Sequence, residues 1–389
     1  MTMANQSARL GPGRATALVV ALETGLAIWL YLFLMLESWP LLLALLVLGV
    51  GALLYMQRHQ AAERAIIDSF AQCKVLSMVW MSVLVLVFPF LLQGNTYVLH
   101  LLVISQLYAV LALALNFQLG SANIPNFATG ASYGIGAYTS ALLALHWGIS
   151  FWWCLLASAM VATLFGFLLG IPCMRTRNSY LALVTIAFGI VLQQLINNFS
   201  WTGGPNGLVG IPAPTLFDHS FADPIVVFGH SLPSQVNFYL LAFALIVVSV
   251  IVARLLHNSR VGLAWNALRT DELAASAQGI NVTWYKMLAF AVDAFMAAFA
   301  GTIYASYVTY ISPDNFTFLV SVTIMTMVIV GGMDNVLGVI LGAFLLTVLP
   351  EKFRIFSDYR LLIYAAVVIL MLIVRPQGLI PKQLRRYKG

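Results

Sequence analysis

Few residues of this 389-residue chain can do chemistry, and several of those stand inside apolar runs. Asp293 lies about ten residues into one such run, roughly 15 Å at 1.5 Å per residue. A carboxyl at that depth costs at least ~2.5–3.5 kcal/mol to insert into a bilayer, so it must face protein or water. It reads either as a group that meets a polar solute or proton, or as a protonated structural acid. Glu23 and His100 stand near the starts of their runs, where they can reach an interface. Gln193/Asn197 and Gln194/Asn198 are i,i+4 pairs that gather amides at the end of another run. Thr202, Gly203, Gly204, Pro205, Asn206 and Gly207 follow, a turn-rich stretch able to present backbone N–H groups. Asn116, Asn123, Asn126 and Thr129 add polar groups in and before a segment rich in Gly, Ala and Ser, residues 120–146. These groups describe the lining of a path for a small polar solute. Interfacial amides facing water and tight helix packing account for the same pattern.

The elements that must position them are membrane helices. Of the residues, 61% are apolar and 8% charged, against about 25% charged in ordinary soluble domains. Mean hydropathy is +0.94. Apolar runs of span length recur near 16–36, 39–56, 75–92, 97–119, 151–172, 179–198, 235–256, 283–306, 317–333, 336–350 and 360–374. Counting 120–146 as one more gives twelve. The fold class is all-α: a polytopic helical integral membrane protein of about 10–12 crossings. The 120–138 stretch breaks the apolar pattern. Lipid cannot satisfy irregular backbone, so this stretch must be buried in protein or line a wet cavity. GxxxG spacings at Gly130/Gly134, Gly166/Gly170 and Gly338/Gly342 allow close helix approach.

Charge orients the ladder. Residues 199–234 carry Asp218 and Asp223 but no Lys or Arg. The N-terminal tail, 57–74, Arg175/Arg177, 254–286 and the C-terminal tail are all basic, which places both termini in the cytoplasm. The loop 351–360, with Lys352, Arg354 and Arg360, runs against that rule. A pI near 9.3 reflects these orienting loops, so no nucleic-acid partner is implied. Three cysteines give no disulfide framework. No metal-ligand cluster, catalytic group or Walker A phosphate loop is present. One basic-side stretch stands out: 260–279 reads as a short amphipathic helix, capped by Ser259 and ended by a left-handed Gly279. It is a solvated connector or a docking surface for a soluble partner.

Residues 180–212, 266–290, 312–338 and 375–381, read in order, resemble the permeases of branched-chain amino acid ABC importers, of the LivM type. The quoted runs include QQLINNFSWTGGPNGLVGIP, NALRTDELAASAQGIN, TMVIVGGMDNVLG and RPQGLIP, and the likeness extends over about 95–381. It implies three parts: a variable extension with an extra hairpin (1–75), the permease domain (76–381) and a basic tail (382–389). It also implies a coupling helix at about 260–279, in which Arg269, Asp271, Glu272, Ala274, Ala275 and Gly279 face an ATPase. The expected partners are two ABC ATPase subunits that hold the ATP and Mg, a second related permease, an extracytoplasmic solute-binding protein and membrane lipid. The chain itself is expected to bind no cofactor and to catalyse no reaction, in a prokaryotic cytoplasmic (inner) membrane. Urea, short amides or other amino acids are alternative substrates, and an ion-coupled transporter using Asp293 is the alternative class. The chain departs from the family at Asn123, Ile124, Ala128 and Thr129, where Gly-Gln and Gly-His pairs are usual. It departs again at Asp293, where a small or hydroxyl residue is usual.

Overall fold

The computed structural model describes residues 11–36, 66–92, 95–173, 179–352 and 377–380, apart from single positions and 217–218 and 228–229, together with isolated positions in 38–51 and 362–373. The expected spans at 39–56 and 360–374 and the tail 382–389 therefore lie wholly or largely outside the described residues, as does most of the loop 351–360. The chain separates into two compact units, Met1–Leu99 and His100–Gly389.

In the first unit, α1 (Pro12–Met35) and α2 (Lys74–Leu91) pack together. Pro12 sits in the first turn of α1, where its missing N–H costs nothing. Glu23 does not reach an interface, as its place near the start of the run suggested. It is 4% exposed and accepts a 2.5 Å hydrogen bond from Ser77 Oγ of α2, because a partner hydroxyl there replaces water.

The second unit is built of α3 (Thr96–Asn116), α4 (Thr129–Trp147), α5 (Phe151–Cys173), α6 (Ser179–Asn198), α7 (Gln235–His257), α8 (Arg260–Thr270), α9 (Glu272–Ala277), α10 (Val282–Val308), α11 (Phe318–Gly331) and α12 (Val336–Lys352). Seven helical stretches among the described residues are long and apolar enough to cross a membrane. With α2, α4 and α12 the described residues hold ten long helices, an all-α polytopic membrane fold.

The centre of this unit is α10 packed on α4 and α5. Alanine is the best helix former and leaves almost no side chain, so an Ala-rich helix lets neighbours approach closely. Ala289, Ala291, Ala294, Ala297, Ala298, Ala300 and Ala305 of α10 are all buried. A Cβ on Gly166 would stand 2.7 Å from the Phe290 carbonyl oxygen, and one on Gly170 would stand 3.1 Å from the Met287 Cα. Gly136 lies against the Ala298 backbone and Gly301 against Tyr133 and Ala137. Ser158 and Thr302 hydroxyls bond across the α5–α10 contact at 2.7 Å. The other two GxxxG pairs serve the same purpose: Gly130/Gly134 meet Ser321 and Phe316, and Gly338/Gly342 meet Gly331 and Met327.

Two stretches depart from simple helices. The 120–146 segment is not one continuous helix. α3 runs into a π-helical turn, Phe117–Ser121; an extended path follows, and α4 starts only at Thr129. Pro125 and the left-handed Asn123 (φ 57°) explain why no helix bridges 123–128. The 260–279 stretch is likewise two helices. Asp271 takes an extended conformation (φ −162°, ψ 114°), and its carboxylate accepts from Leu273 and Ala274 N–H at 2.8 and 3.1 Å. An Asp ahead of a Glu-Leu-Ala run is a better N-cap than a helix interior residue. Ser259 caps α8 through Val261 and Gly262 N–H, and Gly279 (φ 80°) ends α9, with Ile280 N–H returning to Ala275 O at 3.1 Å.

At the end of the unit opposite α8 and α9, β1 (Leu208–Val209) pairs antiparallel with the last strand, Tyr310–Ile311, and ties the end of α6 to the end of α10. α11 and α12 form a hairpin through 332–335. Leu379 and Ile380 N–H donate to Val330 and Gly331 carbonyls, so the chain after residue 376 is back at the end from which α12 departs.

Close packing at glycine generates a stability prediction. Gly301→Leu forces a side chain into the Tyr133–Ala137 backbone and should destabilise the protein by about 1–3 kcal/mol or more. Gly25→Leu, with nothing within 4 Å of its Cβ position, is the matched control. Thermal unfolding in detergent should show a midpoint several degrees lower for the first and unchanged for the second. Equal midpoints would mean that α4 and α10 do not pack through Gly301.

Candidate functional site

The break before α4 is held by side chains from three other helices. Asp293 of α10 is 1% exposed. Its Oδ2 accepts from Asn126 Nδ2 at 2.8 Å and from Thr129 Oγ1 at 3.1 Å, and Thr129 Oγ1 is 3.3 Å from Oδ1. Asn126 Oδ1 in turn accepts from Ala128 N–H at 2.8 Å, a local turn that sets the entry to α4. Phe127 N–H donates to Thr185 Oγ1 of α6 at 3.1 Å, and Gly130 N–H to Ser321 Oγ of α11 at 2.9 Å. The start of α4 is thereby pinned to α6, α10 and α11 at once. A carboxyl of which both donors belong to its own chain works as an anchor for irregular backbone.

Of the other proposed path residues, none joins this cluster. Asn123 is exposed on the extended stretch. Gln193 and Asn197 are half-buried and Gln194 is exposed, at the far end of α6. Asn116 lies elsewhere: its Oδ1 accepts from the backbone N–H of Asp334 at 2.8 Å, beside α8. It belongs with the α8 contacts, because α3 runs past the depth of Asp293 to the basic end.

In the turn Thr202–Gly207, Gly203, Gly204 and Gly207 have φ of 80°, 54° and 71°, and their N–H groups bond to Ser200, Phe199 and Gly204 carbonyls. Thr202 is buried and donates from its hydroxyl to Ile196 O at 2.6 Å, while Pro205 and Asn206 are exposed. Of the N–H groups the stretch was expected to present, those of the three glycines are therefore taken up within two tight turns.

At the basic end, Arg269 faces inward, whereas the sequence put it on a partner-facing surface. It donates to the Gly120 carbonyl and stands 3.5 Å from Asp334 Oδ2, whose other oxygen accepts from Ser121 Oγ at 2.8 Å. Trp265, 1% exposed, packs on Phe117 and donates from Nε1 to Tyr285 O at 2.8 Å. Glu272 pairs with Lys286 of α10 at 2.7 Å and remains 45% exposed. Asp271 is occupied as a cap and Ala275 is buried. Of the six expected coupling residues, Asp271, Glu272, Ala274 and Gly279 remain exposed, joined by Leu263 and Leu273 at 45% and 70%. Asp334, Ser121 and Lys286 were missed in the sequence. The signal for Asp334 was its Gly-Gly-Met-Asp-Asn turn, where a left-handed residue (φ 67°) was needed and Asp tolerates it.

The cluster predicts graded effects. Asp293→Asn keeps one acceptor and the shape, so it should insert normally and lose about 1–3 kcal/mol of stability. Asp293→Leu leaves Asn126 and Thr129 buried and unpaired and should cost more. Thermal unfolding in detergent ranks them; a leucine variant as stable as wild type would remove the anchoring role.

Comparison with known proteins follows the same architecture. Residues 97–374 match the model of a family described as the branched-chain amino acid transport system permease component. The high-affinity branched-chain amino acid transport system permease protein LivM of Escherichia coli is 38% identical over 328 residues, covering 81% of this chain and 77% of that protein. LivH of the same organism is 26% identical over 291 residues, covering 70% and 91%. A probable LivM of Methanocaldococcus jannaschii is 24% identical over 327 residues, covering 71% and 91%. No solved structure matches the chain. A helical membrane bundle in which the break before α4 and the capped basic-end element both fall within the matched region, this chain belongs to the branched-chain amino acid permease family, with strong likeness to LivM.

Proposed function

We propose that this chain is the LivM-type permease subunit of an ABC importer for branched-chain amino acids, a transport subunit that performs no bond chemistry. The observation that carries the substrate class is the 38% identity to LivM across 81% of the chain. LivM and LivH each align with most of this chain and are both named as permeases of branched-chain amino acid systems, which supports pairing with a second, related permease. ATP and Mg belong to two ATPase subunits docked on α8 and α9. An extracytoplasmic binding protein delivers solute at the opposite end, in a prokaryotic cytoplasmic membrane with both termini inside.

Geometry supports the docking assignment. α8 and α9 are capped at both joints, tied to the body through Trp265 and Lys286, and present Leu263, Leu273 and Ala274 outward. Exposed leucines on a rigid, polar-rimmed element are suited to burial against a soluble partner. The ion-coupled alternative is less well supported, because Asp293 is enclosed and its donors come from its own chain.

Two expectations follow. With its partner subunits, the chain should drive leucine uptake that stops on ATP depletion and survives collapse of the proton gradient; the reverse would make it a secondary transporter. Leu273→Glu should abolish co-purification of the ATPases. Gly279→Val meets no atom within 4 Å but forces a side chain into the left-handed region at ~1–2 kcal/mol, so it should keep the ATPases and lower uptake. Normal recovery and uptake in both would leave α8 and α9 a solvated connector.

Sidedness is checked by labelling. Single cysteines within 213–232 should react with an impermeant thiol reagent from outside, and those within 262–278 should be protected in intact cells. External labelling of the second set would invert the map.

A further inference from the structure

From the two ties of α8 and α9 to the body we infer that Arg269 is a positioning residue for transport. It links the partner-facing element to the mid-depth break before α4. The inference rests on the importer reading above.

The element is anchored in two places, and the Arg269 contact belongs to only one of them. α10 holds both halves, through the Trp265 Nε1 bond to Tyr285 O from α8 and the Glu272–Lys286 pair from α9. The π-helical turn is held by α8 alone: Arg269 donates to the Gly120 carbonyl and faces Asp334, which also holds Ser121, while Trp265 packs on Phe117. Between the halves lies only the extended Asp271.

Both anchors lead to one place. From Lys286, α10 rises seven residues, about 10 Å, to Asp293. From Gly120 and Ser121 the chain runs through 123–128, without helix, to Asn126 and Thr129. These two routes meet at the hydrogen bonds between Asp293, Asn126 and Thr129. Of the ties that α8 makes, the Arg269 contact is the one that leads to the start of α4 by way of the π-helical turn.

Packed interiors transmit displacement because they have little free space. Trp265 and the Asp334 side chain are 1% and 3% exposed, so the Arg269 contact is closely enclosed. The guanidinium also joins two partners at once, a carbonyl and a carboxylate, which a side chain without N–H donors such as methionine cannot do.

The test uses the assembled importer in proteoliposomes. Its permease chain has the native cysteines replaced and carries Phe127→Cys, a half-buried reporter on the extended stretch that keeps the backbone N–H bonded to Thr185. In the otherwise wild-type complex, adding ATP should change the thiol-labelling rate at position 127. Arg269→Met should retain the ATPase subunits, abolish that change, and lower uptake per ATP hydrolysed about tenfold. Arg269→Lys should restore most of both. Asp334→Asn tolerates the left-handed turn and should give a similar loss. The double variant should be no worse than the more severe single one, as expected of residues acting through one contact. An ATP-insensitive reporter in the wild-type complex, ATP-dependent labelling that survives Arg269→Met, loss of the ATPases in that variant, or additive losses would each overturn the inference. Failure of the wild-type chain to recover ATPases would instead overturn the importer reading, and the inference with it.

Discussion

Hydrocarbon offers no hydrogen-bond partner to an open backbone, and the six residues 123–128 before α4 are outside any helix. Several groups near them answer that constraint. Pro125 brings no N–H. Ile124 N–H bonds to Gln118 O, Phe127 N–H to Thr185 and Ala128 N–H to Asn126, whose own amide is held by Asp293. The stretch is possible only because α6, α10 and α11 stand close enough to supply those groups. Their closeness depends in turn on glycine and alanine along α10 and its neighbours.

That dependence explains the chain's composition better than a need for flexibility does. Large side chains on α10 would separate it from α4 and α5 and leave Asp293 facing a gap. With Ala298 against Gly136 and Gly166 against Phe290, the helices enclose the carboxyl and its two donors. Tight packing and the buried polar cluster are therefore one design. A polar cluster inside a membrane protein is tolerable when each member has its partner.

The bundle was legible in the sequence, since apolar runs of span length and the three GxxxG pairs are patterns local along the chain, although the partners of those glycines are not. The helix ends were legible too where a residue has one strong conformational preference: Ser259 as a cap, Gly279 at φ 80°. What was not legible depended on contacts between residues far apart in sequence. Asp271 as a cap, which divides one expected helix into two, competes with helix propensity and wins only because its carboxylate finds two N–H groups. Asn116 looked like a path residue, since nothing in its run of alanines and leucines says that its partner is the backbone of Asp334, more than two hundred residues on. Arg269 and Glu272 looked like surface charges. They are ion-paired to Asp334 and Lys286, and spacing within 260–279 carries no trace of either.

Thr129 and Asp293, both expected from the resemblance to differ from the usual residues, are 164 residues apart and in contact, with Asn126 completing the set. An acid at 293 without a donor would be an uncompensated buried group, and a lone hydroxyl at 129 would gain little. Together they form a mutually satisfied pair, so removing either member strands the other. The chain thus fastens its broken helix with a carboxyl, an amide and a hydroxyl. That fastening leaves the carboxyl 1% exposed, with both of its donors supplied by the start of α4.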